Sequence, residues 1–368
     1  MKRNIIIIFI IILGIHLVAL AYFISLNHKD KESGSSNLPS KELPQDKLPV
    51  RKDVIPEPVL VSDVAPPAKP KLNKPKPSYT PKKHAPSTSF YKYRPIPHFD
   101  FTDAAMGNLS KVPETKGAKA GILVDLDNGR VIWAKNASKP VAIASMTKIM
   151  TALIAYEYLR DKKISYSTPV KVTKSAAAIG GSEIWIDVRE TFPFRDLLKA
   201  MLIKSANDAA FLVAEKLGNG NVKNFVNMMN KKASDMGCRS AKFFNPNGLP
   251  GKSAVYDNRA SCTALAIFAA HLLCYPDALK LTSTKTTTIP RHVGKVKKTI
   301  LTNTNHLVRS GISGVDGLKT GYTNRAGSCL TFTCKRKGRR LIGVLAGFKH
   351  RVDRDKCAIK LLDWGYKQ

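Results

Sequence analysis

The sequence predicts an α+β domain in which an antiparallel sheet is flanked by helices and adjoined by an all-helical subregion. Three observations lead to this prediction. Strand-like apolar runs lie near residues 120–134, helical segments follow between residues 145 and 236, and strand-like runs return between residues 314 and 348. One sheet is therefore expected to draw its strands from both ends of the domain, and the helices in between must cover it.

The first pair of strands is predicted from a turn signal. Apolar runs at residues 120–125 and 130–134 flank Asp127-Asn128-Gly129. An Asn-Gly pair between two such runs is a strong short-range signal for a β-hairpin, because both residues tolerate the positive φ that tight hairpin turns require. A hairpin is therefore expected to begin the domain.

The first helix is predicted from the spacing of its apolar residues. Ile149, Leu153 and Tyr156 recur at intervals of three or four within the apolar-periodic stretch 146–158. This spacing places them on one face of a helix. Ser145 precedes the stretch and is therefore expected at or near the N-terminus of that helix.

The later elements follow from the same criteria. Residues 195–202 and 208–217 are predicted to be helices of the middle section. Residues 328–334 and 341–348 are two apolar runs joined by a strongly basic turn, which indicates a second hairpin. Residues 354–364 are predicted to close the chain as a helix.

The N-terminal segment, residues 1–27, is predicted to direct export. Lys2 and Arg3 precede an almost wholly apolar run over residues 5–26, and about 20 apolar residues suffice to cross a bilayer as a helix. The positive start favours leaving the N-terminus in the cytoplasm, so the remainder would lie in the periplasm or outside the membrane, anchored to the bacterial inner membrane. The alternative is a signal peptide cleaved near residues 19–21, which would give a secreted protein.

Residues 28–115 are predicted to form a disordered linker ahead of a catalytic domain at residues 116–368. Fourteen of the chain's 22 prolines lie between Pro39 and Pro97, interleaved with lysine. Such a composition cannot bury enough apolar surface to fold. A tether from the membrane into the cell wall fits this segment, and a proline-motif docking site is the alternative.

The formal net charge is +33. Residues 121–368 contain 41 basic and 17 acidic residues, so this region alone contributes +24. Nucleic acid is the partner that such a charge would ordinarily indicate. Because the N-terminal segment predicts export, we expect no nucleic-acid partner, and attraction to anionic wall polymers or to a membrane surface explains the charge better.

Cysteine usage predicts neither a metal site nor a cofactor. No Cys-x-x-Cys pair occurs, which argues against a zinc or thioredoxin-type site, and no cofactor is expected. Cys329 and Cys334 lie five residues apart on one predicted strand, so they should point to opposite faces and should not pair with each other. Whether and how the cysteines pair otherwise is left open. The chain has six of them: Cys238, Cys262, Cys274, Cys329, Cys334 and Cys357.

Ser145 and Lys148 are the first candidates for catalysis. Residues three apart on a helix share a face, so the hydroxyl and the amine can meet. A serine hydroxyl is a weak nucleophile until a base accepts its proton. Lysine can be that base only if burial or a nearby cation lowers its pKa, and Lys319 is a candidate for the cation. By itself a Ser-x-x-Lys sequence is usually a helix cap beside a surface lysine.

Ser205-Ala206-Asn207 follows one apolar helix and precedes another. An ordinary helix-connecting serine followed by an asparagine cap would explain it. Together with the first motif, Ser205 can relay a proton to a leaving amine. Asn207 can offer its side-chain amide to a substrate backbone.

Lys319-Thr320-Gly321 is expected near the end of a strand. Lys319 supplies positive charge, the Thr320 hydroxyl can bind a carboxylate, and Gly321 lets a substrate approach the strand edge closely. An extended peptide can then add to that edge as a further strand. The backbone N–H groups of Ser145 and Tyr322 are the candidate oxyanion hole.

The three motifs in this order resemble those of penicillin-binding proteins and serine β-lactamases. The surrounding sequence is similar to D-alanyl-D-alanine carboxypeptidases, the low-molecular-mass penicillin-binding proteins of the β-lactamase/DD-peptidase superfamily. The most similar segments are residues 144–153, 197–210 and 315–323. The resemblance extends over about residues 117–366, which is the whole of the predicted folded part.

The resemblance implies a function and a role for each motif. The implied activity is removal of the terminal D-alanine from peptidoglycan stem pentapeptides through an acyl-enzyme, and it also implies acylation by β-lactam antibiotics. By position, Ser145 would be the nucleophile, Lys148 its base and Ser205 the second residue that handles protons. Lys319 and Thr320 would bind the terminal carboxylate of the substrate.

Three alternatives are compatible with the same residues. A DD-endopeptidase would cut cross-links with the same machinery. A β-lactamase would need a further base to hydrolyse the acyl-enzyme, and Glu183 and Glu190 are nearby carboxylates that nothing singles out. A non-catalytic wall-binding protein would retain the fold alone, although the intact motifs weigh against that reading.

Overall fold

We describe the fold from a computed structural model of the chain. The structure describes residues 98–368, so the predicted N-terminal membrane segment and most of the predicted linker lie outside the described residues. Its strands are β1 (Ala105–Met106), β2 (Ala120–Asp125), β3 (Val131–Lys135), β4 (Val141–Ala142), β5 (Pro169–Lys171), β6 (Thr191–Pro193), β7 (Arg259–Ala260), β8 (Thr286–Pro290), β9 (Lys298–Thr302), β10 (Val315–Thr323), β11 (Gly327–Arg336) and β12 (Arg339–Phe348).

The helical elements alternate with these strands. The α-helices are α1 (Lys148–Arg160), α2 (Lys174–Ala177), α3 (Phe194–Lys199), α4 (Asn207–Leu217), α5 (Val222–Asp235), α6 (Cys262–Leu272), α7 (Pro276–Ser283), α8 (His306–Arg309) and α9 (Arg351–Gly365). Short 3₁₀ turns occupy Pro113–Gly117, Ala144–Thr147 and Ala254–Tyr256, and Ala200–Lys204 forms a π-helical turn.

The central sheet has six strands in the order β1-β3-β2-β12-β11-β10. Strands from the start of the domain therefore lie beside strands from its end, and the predicted α+β class is confirmed. All pairings are antiparallel except that of β1 with β3, which is parallel, so the sheet is mixed rather than purely antiparallel. Strand β10 is an edge strand, so one side of the Lys-Thr-Gly segment has no neighbouring strand.

Both faces of the sheet are covered. All six residues of β2 are buried, which requires apolar layers on both sides. On one face Ile122 and Val124 join the large core made with the middle helices. On the other face Leu123 and Trp133 pack with α9 in a second, smaller core. The two predicted hairpins, β2–β3 and β11–β12, are confirmed, and so is the closing helix α9.

The two cysteines of β11 lie on opposite faces of the sheet. Cys329 belongs to the core shared with the middle helices, and Cys334 belongs to the core beneath α9. Side chains alternate along a strand, so an odd separation sends two residues to different faces. The prediction that these two do not pair is confirmed, and both are free thiols.

The middle helices form the predicted helical subregion around α1. Residues 148–156 of α1 are all buried, so this helix crosses the core rather than lying on its surface. Within residues 98–368 no single helix has the length and apolar character needed to cross a membrane. Among these residues, only α6 and α7 taken together reach that length and apolar character, and the chain bends by 110° between them.

The folded domain begins before residue 116, where the sequence had suggested its boundary. Ala105 and Met106 extend the sheet by pairing with Trp133 and Ala134. The indole N–H of Trp133 donates a hydrogen bond of 2.8 Å to the carbonyl of Gly107. A buried tryptophan needs an acceptor for that N–H, and here residues assigned to the linker supply it. The correction therefore applies to residues 98–115, which pack against the domain.

A glycine in the sheet provides a stability test. A Cβ atom at Gly343 would lie 2.0 Å from the ring of Phe332 on the neighbouring strand. Because overpacking a core typically costs about 1–3 kcal/mol, Gly343→Ala should lower the free energy of unfolding by roughly that amount. Urea unfolding followed by circular dichroism measures it.

Gly180→Ala is the matched control, because a Cβ atom there meets nothing within 4 Å. Its unfolding midpoint should stay close to that of the unmodified protein. Equal midpoints for the two variants would show that the ring of Phe332 moves aside without cost.

Candidate active site

Ser145 lies in the 3₁₀ turn Ala144–Thr147 that leads directly into α1, as the sequence predicts. This turn packs against β10. A Cβ atom at Gly321 would lie 2.7 Å from the carbonyl oxygen of Ile143 and 3.3 Å from the side chain of Ala144. Gly321 was expected to admit a substrate to the strand edge, but its first role in the structure is to let the serine-bearing turn sit against the strand.

The Lys148 amine is fully buried and has three oxygen neighbours. Its Nζ lies 3.0 Å from Ser145 Oγ and 2.7 Å from Asn207 Oδ1. It lies a further 2.7 Å from the carbonyl oxygen of Asn247. Two of these neighbours can only accept hydrogen bonds, whereas the serine hydroxyl can also donate.

This arrangement suits a neutral amine. With one hydrogen directed to Asn207 and one to Asn247, the lone pair of a neutral Nζ faces the hydroxyl of Ser145 and can accept its proton. Burial is the main cause that lowers the pKa of Lys148 well below its ordinary value, and the positive charge of Lys319 lowers it further. The Asp208 carboxylate opposes these effects. The geometry and the electrostatics therefore both favour the form of lysine that can act as a base.

Lys319 is also buried, and its Nζ donates a 3.0 Å hydrogen bond to the carbonyl of Thr320. Burial, assisted by the positive charge of Arg354, lowers the pKa of Lys319 to about 7. The sequence had placed Lys319 near the end of a strand. It lies instead in the middle of β10, because β10 continues to Thr323. The sheet thus holds this lysine on a rigid element.

Asn207 points toward Lys148 and not into open space. Its Oδ1 accepts from Lys148, and its Nδ2 donates a 2.9 Å hydrogen bond to the carbonyl of Gly180. Its backbone N–H donates to the carbonyl of Ser182 at 2.6 Å. The side chain is buried and holds the lysine amine and the 180–182 segment in place, and its contact with a substrate stays a prediction.

Ser205 follows the π-helical turn and adopts a left-handed conformation with φ of 65°. Such a conformation is uncommon outside glycine, and π-helical turns occur often at functional sites. Beyond this break in the helix, Ser205 lines the same cleft as Ser145. Within residues 98–368 the hydroxyl of Ser205 has no hydrogen-bond partner, so it is free to bond to a bound molecule.

The cleft has a volume of about 560 Å³. Five of the eight predicted site residues line it, namely Ser145, Ser205, Thr320, Gly321 and Tyr322. The other three, Lys148, Asn207 and Lys319, lie buried beneath them. The remaining lining residues are Ser182, Thr304, Ser328, Lys349, His350, Arg351 and Arg354. One wall of the cleft is therefore strongly basic.

Several residues that shape the site were not predicted from the sequence. Asn247 acts through its backbone carbonyl, which no side-chain pattern reveals. The neighbouring Gly248 offers a signal, because an Asn-Gly pair indicates a turn. It has φ of 85°, and a Cβ atom there would lie 2.0 Å from the carbonyl oxygen of Ala144. Thr304 was also missed, and its hydroxyl lies 2.7 Å from that of Thr320.

The fold and the site together define a serine acyl-transfer protein of the penicillin-binding class. The family of D-alanyl-D-alanine carboxypeptidases, peptidase family S11, matches residues 107–349. The chain belongs to this family.

The relatives agree with that assignment. D-alanyl-D-alanine carboxypeptidase DacF of Bacillus subtilis is 38% identical over 254 residues, 68% of this chain and 62% of the relative. The chain therefore spans less than two thirds of that relative's length. Penicillin-binding protein D2 of Listeria monocytogenes, solved in its ampicillin-bound form, is 29% identical with a TM-score of 0.60. The match covers 97% of that structure and 68% of this chain. A peptidoglycan synthesis regulatory factor (PBP3) of Streptococcus pneumoniae is 32% identical with a TM-score of 0.62, over 68% of this chain and 73% of that structure.

A change of one atom at Asn207 tests the charge state of Lys148. Asn207→Asp would put a carboxylate where Oδ1 now lies, 2.7 Å from Nζ. A close opposite charge favours the ammonium form and raises the pKa of Lys148. Acylation by a fluorescent penicillin should fall at least about tenfold at pH 7 and should recover as the pH rises.

Asn207→Ala is the control, because it removes the acceptor without adding charge. It should slow acylation without moving the pH midpoint upward. A wild-type pH profile for Asn207→Asp, in a protein whose circular dichroism is unchanged, would contradict a neutral Lys148.

Proposed function

We propose that the protein is a serine-type D-alanyl-D-alanine carboxypeptidase, which removes the terminal D-alanine from peptidoglycan stem pentapeptides and is acylated by β-lactams. The observation that carries this proposal is the 3.0 Å separation of Lys148 Nζ and Ser145 Oγ, with the other two neighbours of Nζ being acceptors only. Membership of the family supports the same activity.

The first step of the reaction forms a tetrahedral adduct on Ser145. Ser145 Oγ bonds to the carbonyl carbon of the penultimate D-alanine while its proton passes to the neutral amine of Lys148. Negative charge develops on the carbonyl oxygen. The backbone N–H groups of Ser145 and Tyr322 are proposed to stabilise it, since their segments are in contact through Gly321.

Collapse of this adduct gives the acyl-enzyme and frees D-alanine, and hydrolysis of the ester then restores the enzyme. The bond between the carbonyl carbon and the amide nitrogen breaks, and the departing amine takes the proton from Lys148, relayed by the Ser205 hydroxyl. Water then attacks the ester carbon, Ser145 regains its proton, and the shortened stem peptide leaves. Departure of free D-alanine opens the space that the attacking water needs.

A free carboxylate next to the scissile bond suits this cleft. Lys319 lies beneath it, and Lys349, His350 and Arg351 form part of its wall. No carboxylate side chain is among the residues that line it within residues 98–368. Such a distribution of charge favours a substrate that ends in a carboxylate, as a carboxypeptidase substrate does, over an internal cross-link.

The same cleft disfavours a β-lactamase. Glu190 is a buried partner of Arg291 at 2.6 Å, and neither Glu190 nor Glu183 lines the cleft. Hydrolysis of a penicilloyl ester would therefore lack an additional carboxylate base. In a penicilloyl ester the amine of the opened β-lactam ring stays covalently attached. It therefore occupies the space that D-alanine leaves empty after cleavage of the peptide substrate.

We also propose that the domain acts outside the cytoplasmic membrane. The apolar run over residues 5–26 and the basic residues ahead of it support export and anchoring. Extraction of the full-length protein from membranes by detergent, but not by sodium carbonate, is the expected result. Release by carbonate would favour a cleaved signal peptide.

Covalent labelling tests the nucleophile. Incubation with penicillin should add one antibiotic mass to the wild-type protein and none to Ser145→Ala, because the Oγ atom is the site of attack. Intact-protein mass spectrometry measures the adduct, and circular dichroism confirms that the variant is folded. An adduct on folded Ser145→Ala would assign the nucleophile elsewhere.

Product analysis tests the reaction type. Wild-type protein should release D-alanine from a free stem pentapeptide, and it should cleave cross-linked dimers much more slowly. Preferential cleavage of the cross-linked dimer would make the protein an endopeptidase. Rapid turnover of nitrocefin would instead favour a β-lactamase.

The two lysines predict a bell-shaped pH dependence. At low pH Lys148 gains a proton and cannot act as a base, so kcat/KM should rise as the pH passes its lowered pKa. As the pH rises past about 7, Lys319 loses its charge in the free enzyme. Binding of the substrate carboxylate should then weaken, so KM should increase while kcat falls only at higher pH. A KM that stays constant up to pH 9 would exclude this role for Lys319.

A further inference from the structure

Trp185 is an unusually exposed tryptophan. Its side chain is 70% exposed, whereas its neighbours Ile184 and Ile186 are buried in the main core. It also has φ of 53°, in the left-handed region that bulky residues rarely adopt. The chain therefore turns the indole outward between two residues that point inward.

The backbone on both sides of this indole is fixed by hydrogen bonds. Asp208 Oδ2 accepts from the N–H of Ile184 at 3.0 Å and from the N–H of Ile186 at 3.3 Å. The guanidinium of Arg291 donates to the carbonyl of Ile184 at 2.8 Å and to that of Trp185 at 2.7 Å. Two buried or half-buried side chains thus hold one exposed residue.

Arg291 is itself held in position. It forms a 2.6 Å ion pair with Glu190, whose side chain is fully buried, and it lies over the ring of Phe192. An exposed aromatic ring on a fixed backbone loses little conformational freedom when it binds a partner, which is the condition for a preorganised contact.

The segment that bears Trp185 is continuous with the catalytic cleft. Ser182 lines the cleft together with Ser145, and its carbonyl accepts a hydrogen bond from the backbone of Asn207. Trp185 is the third residue after Ser182, so the backbone of Trp185 lies within roughly 11 Å of that of Ser182.

We propose that Trp185 stacks on a sugar ring of the glycan to which the stem peptide is attached. This inference rests on the proposed function. In a stem pentapeptide four residues lie between the scissile bond and the sugar, a span of about 14 Å when extended. A stem of that length can therefore carry the sugar past the roughly 11 Å that bounds the backbone distance from Ser182 to Trp185. The apolar C–H face of a sugar ring is a suitable partner for the flat face of an indole.

The charges near this indole suit the same ligand. Lys295, Lys297 and Lys298 are exposed near the β8–β9 turn, and the backbone N–H of Arg291 bonds to the carbonyl of Lys297 in that hairpin. Stem peptides carry free carboxylates, so these lysines attract the peptide to which the sugar is joined.

Two substrates that differ only in the sugar test the proposal. Trp185→Ala should raise KM about fivefold for a disaccharide-linked pentapeptide, the size of an aromatic contact, and by less than about twofold for the free pentapeptide. Trp185→Phe should restore part of the loss. The acylation rate with penicillin should match wild type and verifies that each variant is folded.

Tyr256→Ala is the matched control. Tyr256 is 55% exposed in the segment that follows Gly248, which contacts the other side of the serine turn. It should not distinguish the two substrates. An equal change of KM for both substrates with Trp185→Ala, or a sugar-dependent change with Tyr256→Ala in its place, would overturn the proposal.

Fluorescence gives a readout that does not depend on turnover. The chain has three tryptophans, and Trp133 is fully buried. A soluble disaccharide-linked peptide should protect wild-type fluorescence from quenching by acrylamide and should leave Trp185→Phe unprotected. Protection by anionic lipid vesicles but not by the saccharide would mean that Trp185 faces a membrane, which would also overturn the proposal.

The two readouts separate this inference from the proposed function. If the protein releases no D-alanine from the free pentapeptide, the proposed activity fails regardless of Trp185. If D-alanine is released but the sugar affects neither KM nor the fluorescence, only the role of Trp185 fails.

Discussion

The removal of the Lys148 amine from water is the constraint on which the site depends. A buried lysine keeps its charge only at a cost, and each unit by which its pKa falls corresponds to about 1.4 kcal/mol between the two protonation states. Lys319 is also buried and adds repulsion, so the chain carries two desolvated lysines where one would already oppose folding. The long apolar helix α1, buried along residues 148–156, supplies the packing that holds the first of them.

Close approach of neighbouring backbone segments positions the turn that carries Ser145. Gly248 and Gly321 have no side chains, so the Asn247 segment and β10 can press against the two sides of the turn that carries Ser145. Ala144 and Ser205 both have positive φ, a conformation that is costly outside glycine and that tends to persist at functional sites. Ser145 and Ser205 are therefore held by strain and by close contact, and less by secondary structure alone.

The segment over residues 180–186 connects the surroundings of Lys148 with the exposed Trp185. Asn207 binds Lys148 and the 180–182 segment, while the adjacent Asp208 binds the backbone that flanks Trp185. Two neighbouring residues at the start of α4 thus hold both the Lys148 amine and the backbone that flanks Trp185. The buried pair of Glu190 and Arg291 completes the arrangement, and a carboxylate so closely paired is poorly suited to act as a catalytic base.

The sequence by itself determined the two hairpins, the helix that follows Ser145 and the three motifs, because these follow from spacing within short stretches of chain. Tertiary structure alone decided that Asn207 faces Lys148, that a carbonyl at Asn247 binds the same amine, and that Gly321 accommodates the serine turn. It also decided that residues 98–115 join the sheet. The physical reason is common to these cases: each depends on a contact between segments far apart in the chain, or on a backbone atom that every residue carries, and neither leaves a local pattern of side chains.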